Sequence, residues 1–263
     1  MSKFLHYGGH VYPTPECRLG RLLLLGAAIY FQIPTPLAAI QAHPTIFQVT
    51  LGESNPITPE ISTEELQHLL QSGSTPVLDV RSAQEYAIAH IPGSINLYEK
   101  EVEQVTRAYP DKARALVLYC NGPFCGKSKR LSQELVGRGY TKVKRYQLGL
   151  PVWRALGNTV QTDLAGARYI LAGDKTAVWV DARSVADFAS GTLPGAVNIR
   201  RGEAEAANDD GRLPKKDKGT RVVVFADTPE EAWRVAAEVA HKAYWNSSYF
   251  GGSFHELHAV SAR

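Results

Sequence analysis

The chain has 263 residues, 44% of them hydrophobic and 21% charged, with a formal net charge of +3. That length suits two domains of ordinary size better than one, and the near-neutral charge, with no sustained basic face, speaks against nucleic-acid binding. Three cysteines (Cys17, Cys120 and Cys125) are too few for a disulfide framework or a structural zinc site, and none of the eight histidines has a ligand-like spacing, so no metal and no cofactor are expected.

In chain order, the first feature is an apolar run, Leu22 to Ile33, preceded by Arg18 and Arg21. It is short of the roughly 20 residues that a membrane span needs and fits the apolar region of an export signal, about 7–15 residues. Small residues follow between Leu37 and Ala42, with cleavage expected after Ala42. Residues 1–42 are therefore read as an export signal or membrane anchor, and residues 43–59 as a linker. The expected location is periplasmic or otherwise exported, with membrane contact only through an uncleaved N-terminal segment. Cleavage would remove Cys17 and leave Cys120 and Cys125.

An internal repeat follows. Residues 79–96 read DVRSAQEYAIAHIPGSIN and residues 181–198 read DARSVADFASGTLPGAVN, an offset of 102 positions from Asp79 to Asp181. Each copy opens with an apolar run, Pro76 to Leu78 or Ala177 to Val180, which predicts a buried strand ending at the aspartate. A polar helical turn and a Pro-Gly turn come next. A second buried strand is predicted at Ala115–Tyr119 and at Arg221–Phe225, followed by helices over Ser128–Arg138 and Glu230–Lys242. A short strand then leads to Gly149, or to Gly251 and Gly252. The stretch 157–168, with Gly157, Asn158, Thr159 and Gly166, reads as the loosest and divides the halves; residues 208–219 read as a surface loop. Strands alternating with helices predict parallel sheets with helices on both faces.

The motifs D-V-R-x-x-x-E-Y-x-x-x-H-I-P-G-S-I-N, L-V-L-Y-C and L-G-L-P-V-W together resemble the rhodanese (sulfurtransferase) family over about residues 60–157, with a weaker copy over about 164–260. The resemblance implies an α/β fold of two doubly wound domains, each with a central, mainly parallel sheet flanked by helices. It implies a nucleophilic cysteine at the carboxyl end of a central strand, which by position is Cys120, and a catalytic first domain. The second domain has Ala226 at the matching place and reads as inactive.

The chemistry needs a thiolate. The loop Asn121, Gly122, Phe124, Cys125, Gly126, Lys127 and Ser128 is the expected substrate-binding segment. Its backbone N–H groups, with the start of the next helix, are expected to cradle an anion and lower the thiol pKa. Lys127 is the side chain expected to face that anion, with Lys129 and Arg130 adding positive charge. The loop is two residues longer than the C-x-x-G-x-R-S that the family resemblance leads one to expect, with Lys127 in place of arginine. A phosphatase signature fails because position 126 is glycine, and a P-loop fails on glycine spacing. Arg81 is expected to pair with Glu85, and Arg183 with Asp187; His90 and Trp153 read as scaffold. Asp227, Glu230 and Glu231 in the second copy suit a helix N-terminus and would repel an anionic donor.

The function that the resemblance implies is transfer of sulfane sulfur from a small anionic donor such as thiosulfate to a thiol, cyanide or protein acceptor, by way of a persulfide on Cys120. Two other readings stand beside it: a thiol redox protein using Cys120 and Cys125, and a non-catalytic binding module.

Overall fold

The computed structural model describes residues 56–261. The export signal expected over 1–42, with Cys17, and most of the linker expected over 43–59 lie outside the described residues. Among the described residues no helix is long and apolar enough to cross a membrane.

The first half contains α1 (Thr63–Ser72), β1 (Val77–Asp79), α2 (Ala83–Ile88), β2 (Ile95–Asn96), α3 (Val102–Ala108), β3 (Leu116–Tyr119), α4 (Gly126–Gly137), β4 (Val143–Tyr146) and α5 (Gly149–Ala155). Its sheet runs β2-β1-β3-β4, every pair parallel. All residues of β1 and β3 are buried, as expected for central parallel strands covered on both faces. Alternate residues serve opposite faces. Val77, Val117 and Tyr119 pack with Leu66, Ile91, Leu150 and Trp153. Leu78, Leu116, Leu118 and Cys120 pack with Leu131, Leu135 and Tyr140 on the α4 side. Strand alternation thus decides which way Cys120 points.

The second half contains β5 (Gln161–Thr162), α6 (Leu164–Gly173), β6 (Val178–Asp181), α7 (Val185–Ser190), β7 (Val197–Asn198), α8 (Ala204–Asp210), β8 (Val222–Phe225), α9 (Pro229–His241), β9 (Ser247–Phe250) and α10 (Phe254–Ser261). Its sheet runs β5-β9-β8-β6-β7, again parallel throughout. Helix α9 buries Ala232, Val235, Ala236, Val239 and Ala240, the spacing of one apolar face. The expected surface loop over 208–219 begins inside α8, where Ala204 and Ala207 are buried against the sheet.

The stretch 157–168 is not loose. It carries β5, which pairs with β9, and the start of α6. Gln161 exchanges both backbone hydrogen bonds with His90 (2.9 and 3.0 Å), and Asp163 N donates to Ala87 O at 2.8 Å. Gly166 is here for contact, not for freedom. A β-carbon on it would lie 1.9 Å from Ala87 O, so only glycine lets α6 approach α2 this closely.

The repeat has a structural meaning. In each copy the arginine two residues beyond the strand-end aspartate folds back onto it, Arg81 Nε to Asp79 Oδ1 at 2.9 Å and Arg183 Nε to Asp181 Oδ1 at 3.0 Å. Each guanidinium also donates to a carbonyl eight residues on, Ala89 O or Gly191 O. Asn96 and Asn198 each donate to the carbonyls of that aspartate and arginine. The expected Arg81–Glu85 and Arg183–Asp187 pairs are therefore replaced. The buried aspartates need the charge more than exposed ones would, while Glu85 and Asp187 are taken up as helix-start partners of Ser82 and Ser184.

Candidate active site

Cys120 is the first residue beyond β3, at the carboxyl edge of the sheet where such folds place their ligands. It is only 1% exposed. Its Sγ donates to Cys125 O at 3.3 Å and lies 3.3 Å from Ser128 Oγ. The backbone beneath it is fixed by Leu150 N, which donates to Cys120 O at 3.1 Å. Gly149, with φ of +63°, allows that approach.

A buried amide that the sequence reading missed holds the loop. Gln147 Nε2 donates to Pro123 O (3.0 Å) and Cys125 O (3.1 Å). Its Oε1 accepts from Ser128 Oγ (3.2 Å) and Arg145 Nη1 (2.9 Å). Arg145 is itself buried and pairs with Glu60 at 3.0 Å. The available signal was composition: the strand segment Val143-Lys144-Arg145-Tyr146-Gln147 has a polar inner register, unusual for a central parallel sheet.

The other predicted residues divide into two groups. Ser128 and the Cys125 carbonyl stand against the thiol. Asn121 turns away from it, accepting from Arg81 Nη1 (3.3 Å) and donating to Glu85 Oε1 (2.5 Å). Gly122 adopts φ of +110° to make the turn. Phe124 projects into solvent, 91% exposed. Gly126 opens α4, with Cys125 as its half-buried N-cap residue. Lys127 does not face an open anion position; its Nζ donates to Glu85 Oε2 at 3.2 Å. Burial raises the Glu85 pKa, but hydrogen bonds from Asn121, Ser82 and Lys127 outweigh it and hold the carboxyl at about 2. Glu85 is the nearest carboxylate for the lysine, and the pair satisfies both. His90 packs as scaffold, stacked on Tyr86 with ring centroids 3.8 Å apart. Trp153 Nε1 donates to Thr159 O at 2.8 Å.

The electrostatics of the thiol run against expectation. Burial pushes the Cys120 thiol up to about 11, and the Cys125 side chain adds to the rise, while the hydroxyl and amide of Ser128 pull the other way. The cradle contributes too few N–H groups to offset the loss of water. Even so, α4 starts with no side-chain cap and no acidic residue in its first turn. Helix α9 in the second half is capped by Thr228 and opens with Glu230 and Glu231. The N-terminal amides of α4 thus stay available to a ligand, whereas those of α9 are already served.

In the second half Ala226 occupies the position of Cys120 and is fully buried. The Arg183 guanidinium lies 3.5 Å over the Phe254 ring. The cavity at this end is not simply acidic: Arg200, Arg201 and Arg234 line it together with Asp227 and Glu231. No cluster of three or more metal-ligating side chains occurs among the described residues.

The model of the rhodanese-like domain matches residues 62–156 and 168–259. The thiosulfate sulfurtransferase PspE of Escherichia coli is 39% identical over 69 residues, 26% of this chain and 64% of that protein, so the match spans less than two thirds of it. Human thiosulfate:glutathione sulfurtransferase is 31% identical over 109 residues, 41% of this chain and 89% of its own. Among solved structures, a thiosulfate sulfurtransferase from Pseudomonas aeruginosa aligns over 74% of this chain and 43% of its own, with 23% identity and a TM-score of 0.37.

Proposed function

The chain belongs to the rhodanese-like domain family, with two such domains in tandem, and on that premise we propose that its first domain transfers sulfane sulfur through a persulfide on Cys120. The observation that carries this reading is the place of Cys120: one residue beyond a central parallel strand, facing the uncapped start of α4. Relatives named as thiosulfate sulfurtransferases support the donor class.

In the first step the Cys120 thiolate attacks the outer sulfur of thiosulfate. A new S–S bond forms, the sulfur–sulfur bond of the donor breaks, and sulfite leaves with the electron pair. In the second step an acceptor thiolate or cyanide attacks the outer sulfur of the persulfide, and Cys120 is returned as thiolate. Because burial holds Cys120 protonated in the closed loop, residues 121–125 must move aside for the donor. That movement lets water in and removes the main cause of the raised pKa, and the α4 amides then face the anion. The second domain takes no part in the chemistry. The apolar run at Leu22–Ile33 supports an exported location for this work.

Intact mass after incubation with thiosulfate tests the proposal. The wild-type chain should gain one sulfur atom and Cys120→Ser none. No gain in wild type, or an unchanged gain in the variant, would refute it. A second reading is favoured by the interaction of the Cys120 thiol with the Cys125 side chain: the two thiols form a redox pair, losing two electrons and two protons to an oxidising disulfide. Full sulfur transfer by Cys125→Ala would exclude a required role for that pair.

A further inference from the structure

A cavity of about 320 Å³ lies between the two halves, walled by Ile88, Leu150, Pro151, Ala155 and Trp245. Three guanidinium groups, those of Arg81, Arg154 and Arg221, share its lining. Two of them are already matched: Arg81 by Asp79, and Arg221 by Asp174 at 3.1 Å. Arg154 is not. Its Nη1 donates to Asn246 Oδ1 at 3.3 Å, while its Nε and Nη2 are shut off from water without a hydrogen-bond partner. Glu85 is the one carboxylate in the lining, and it is used by Ser82, Asn121 and Lys127.

An arginine with two unmet donors and no counter-charge is costly to bury. Desolvation, with the neighbouring charges of Arg221 and Arg81, lowers its pKa to about 10, which leaves it charged at neutral pH. What the position lacks is therefore an anion. A carboxylate or sulfonate can take two parallel hydrogen bonds from one guanidinium. The remaining walls are apolar, so an ion without a hydrocarbon body would leave them unfilled.

We infer that this cleft is a binding site for a small organic anion, whose carboxylate or sulfonate takes Arg154 and whose apolar body lies against Leu150, Pro151 and Trp245. The site is distinct from the thiol. Cys120 Sγ faces the α4 side of the sheet, whereas the cleft is lined from α5. The two meet at the backbone: Asn121 lines the cleft directly after Cys120, and Leu150 N holds Cys120 O. An occupant would brace the base of the loop and the junction of the halves together.

Calorimetric titration of the full chain with phenylacetate, inorganic sulfate and 2-phenylethanol tests this. Phenylacetate should bind wild type and Cys120→Ser alike, so a failed persulfide proposal leaves the result intact. Binding should weaken at least about tenfold in Arg154→Met, and sulfate and the neutral alcohol should bind more weakly than phenylacetate. Without ligand, Arg154→Met should melt higher than wild type, because an unmatched buried charge is gone. Absent phenylacetate binding to wild type, or sulfate binding as tightly, would overturn the inference. So would an Arg154→Met chain that melts lower or fails to fold, since Arg154 would then be structural.

Discussion

Gly149 lies against the carbonyl of Cys120, so closely that a β-carbon at residue 149 would stand 2.4 Å from that oxygen and 2.4 Å from Gly122 N. Both neighbours are backbone and cannot swing away. With φ at +63°, Gly149→Ala combines a collision with a left-handed strain. The substitution should cost about 2 kcal/mol or more and should displace the loop. Urea denaturation and the thiosulfate mass gain would read the two effects separately.

Gln147→Leu should damage the loop more than the core. The substitution keeps volume but strips the Pro123 and Cys125 carbonyls of their amide donor and takes one acceptor each from Ser128 and Arg145, the latter keeping Glu60. Each unmet buried group costs about 1–3 kcal/mol. The expected outcome is a protein that folds with reduced stability and transfers sulfur at a strongly reduced kcat. Undiminished kcat would show that the loop is held by something else.

The raised pKa of Cys120 makes its reactivity climb with pH. In a Cys125→Ala background, alkylation by iodoacetamide should speed up about tenfold per pH unit from neutrality until the thiol titrates near 11. A plateau below pH 8 would mean the loop is open in solution. The folded chain holds this proton more tightly than the unfolded chain, whose thiol titrates near 9.0. The corresponding stabilisation is complete below pH 9.0 and is lost as pH rises through about 11. The urea midpoint of wild type should therefore fall over that range more steeply than that of Cys120→Ala.

Asp79→Asn and Asp181→Asn should be similarly severe, although only the first lies in the half with Cys120. Each removes the counter-charge of a buried arginine, Arg81 or Arg183. Breaking a buried pair from one side costs about 3–5 kcal/mol. Denaturant midpoints of the two variants check this. A mild effect at Asp181 would show that Phe254, stacked on Arg183, carries much of that cation.

The repeat was readable because its residues make the same bonds twice: Asp79 with Arg81 and Asn96, and Asp181 with Arg183 and Asn198. Continuous apolar runs placed the central strands, since buried parallel strands are apolar along their whole length. Cys120 was locatable because it ends such a strand. What resisted reading were choices between near neighbours and between distant ones. Arg81 had carboxylates two and four residues away, and only side-chain direction at the strand end selects Asp79. Gln147 reaches its partners across more than twenty residues of sequence, a relation that local pattern does not contain. The sign of the Cys120 shift depends on how completely the loop covers the sulfur, and β5 is too short to announce its pairing with β9.

The contact of Gly166 with the Ala87 carbonyl bears on how such a chain could be taken apart. A fragment ended at residue 157 would leave the amide of His90 and the carbonyls of Ala87 and Ile88 without the partners that Gln161, Asp163 and Thr162 supply. A fragment begun there would carry a helix shaped to a surface no longer present. The two copies have become halves of one object, so neither can be exchanged for a stand-alone relative without rebuilding the seam. The half with Ala226 where the other has Cys120 is part of the frame in which that other half sits.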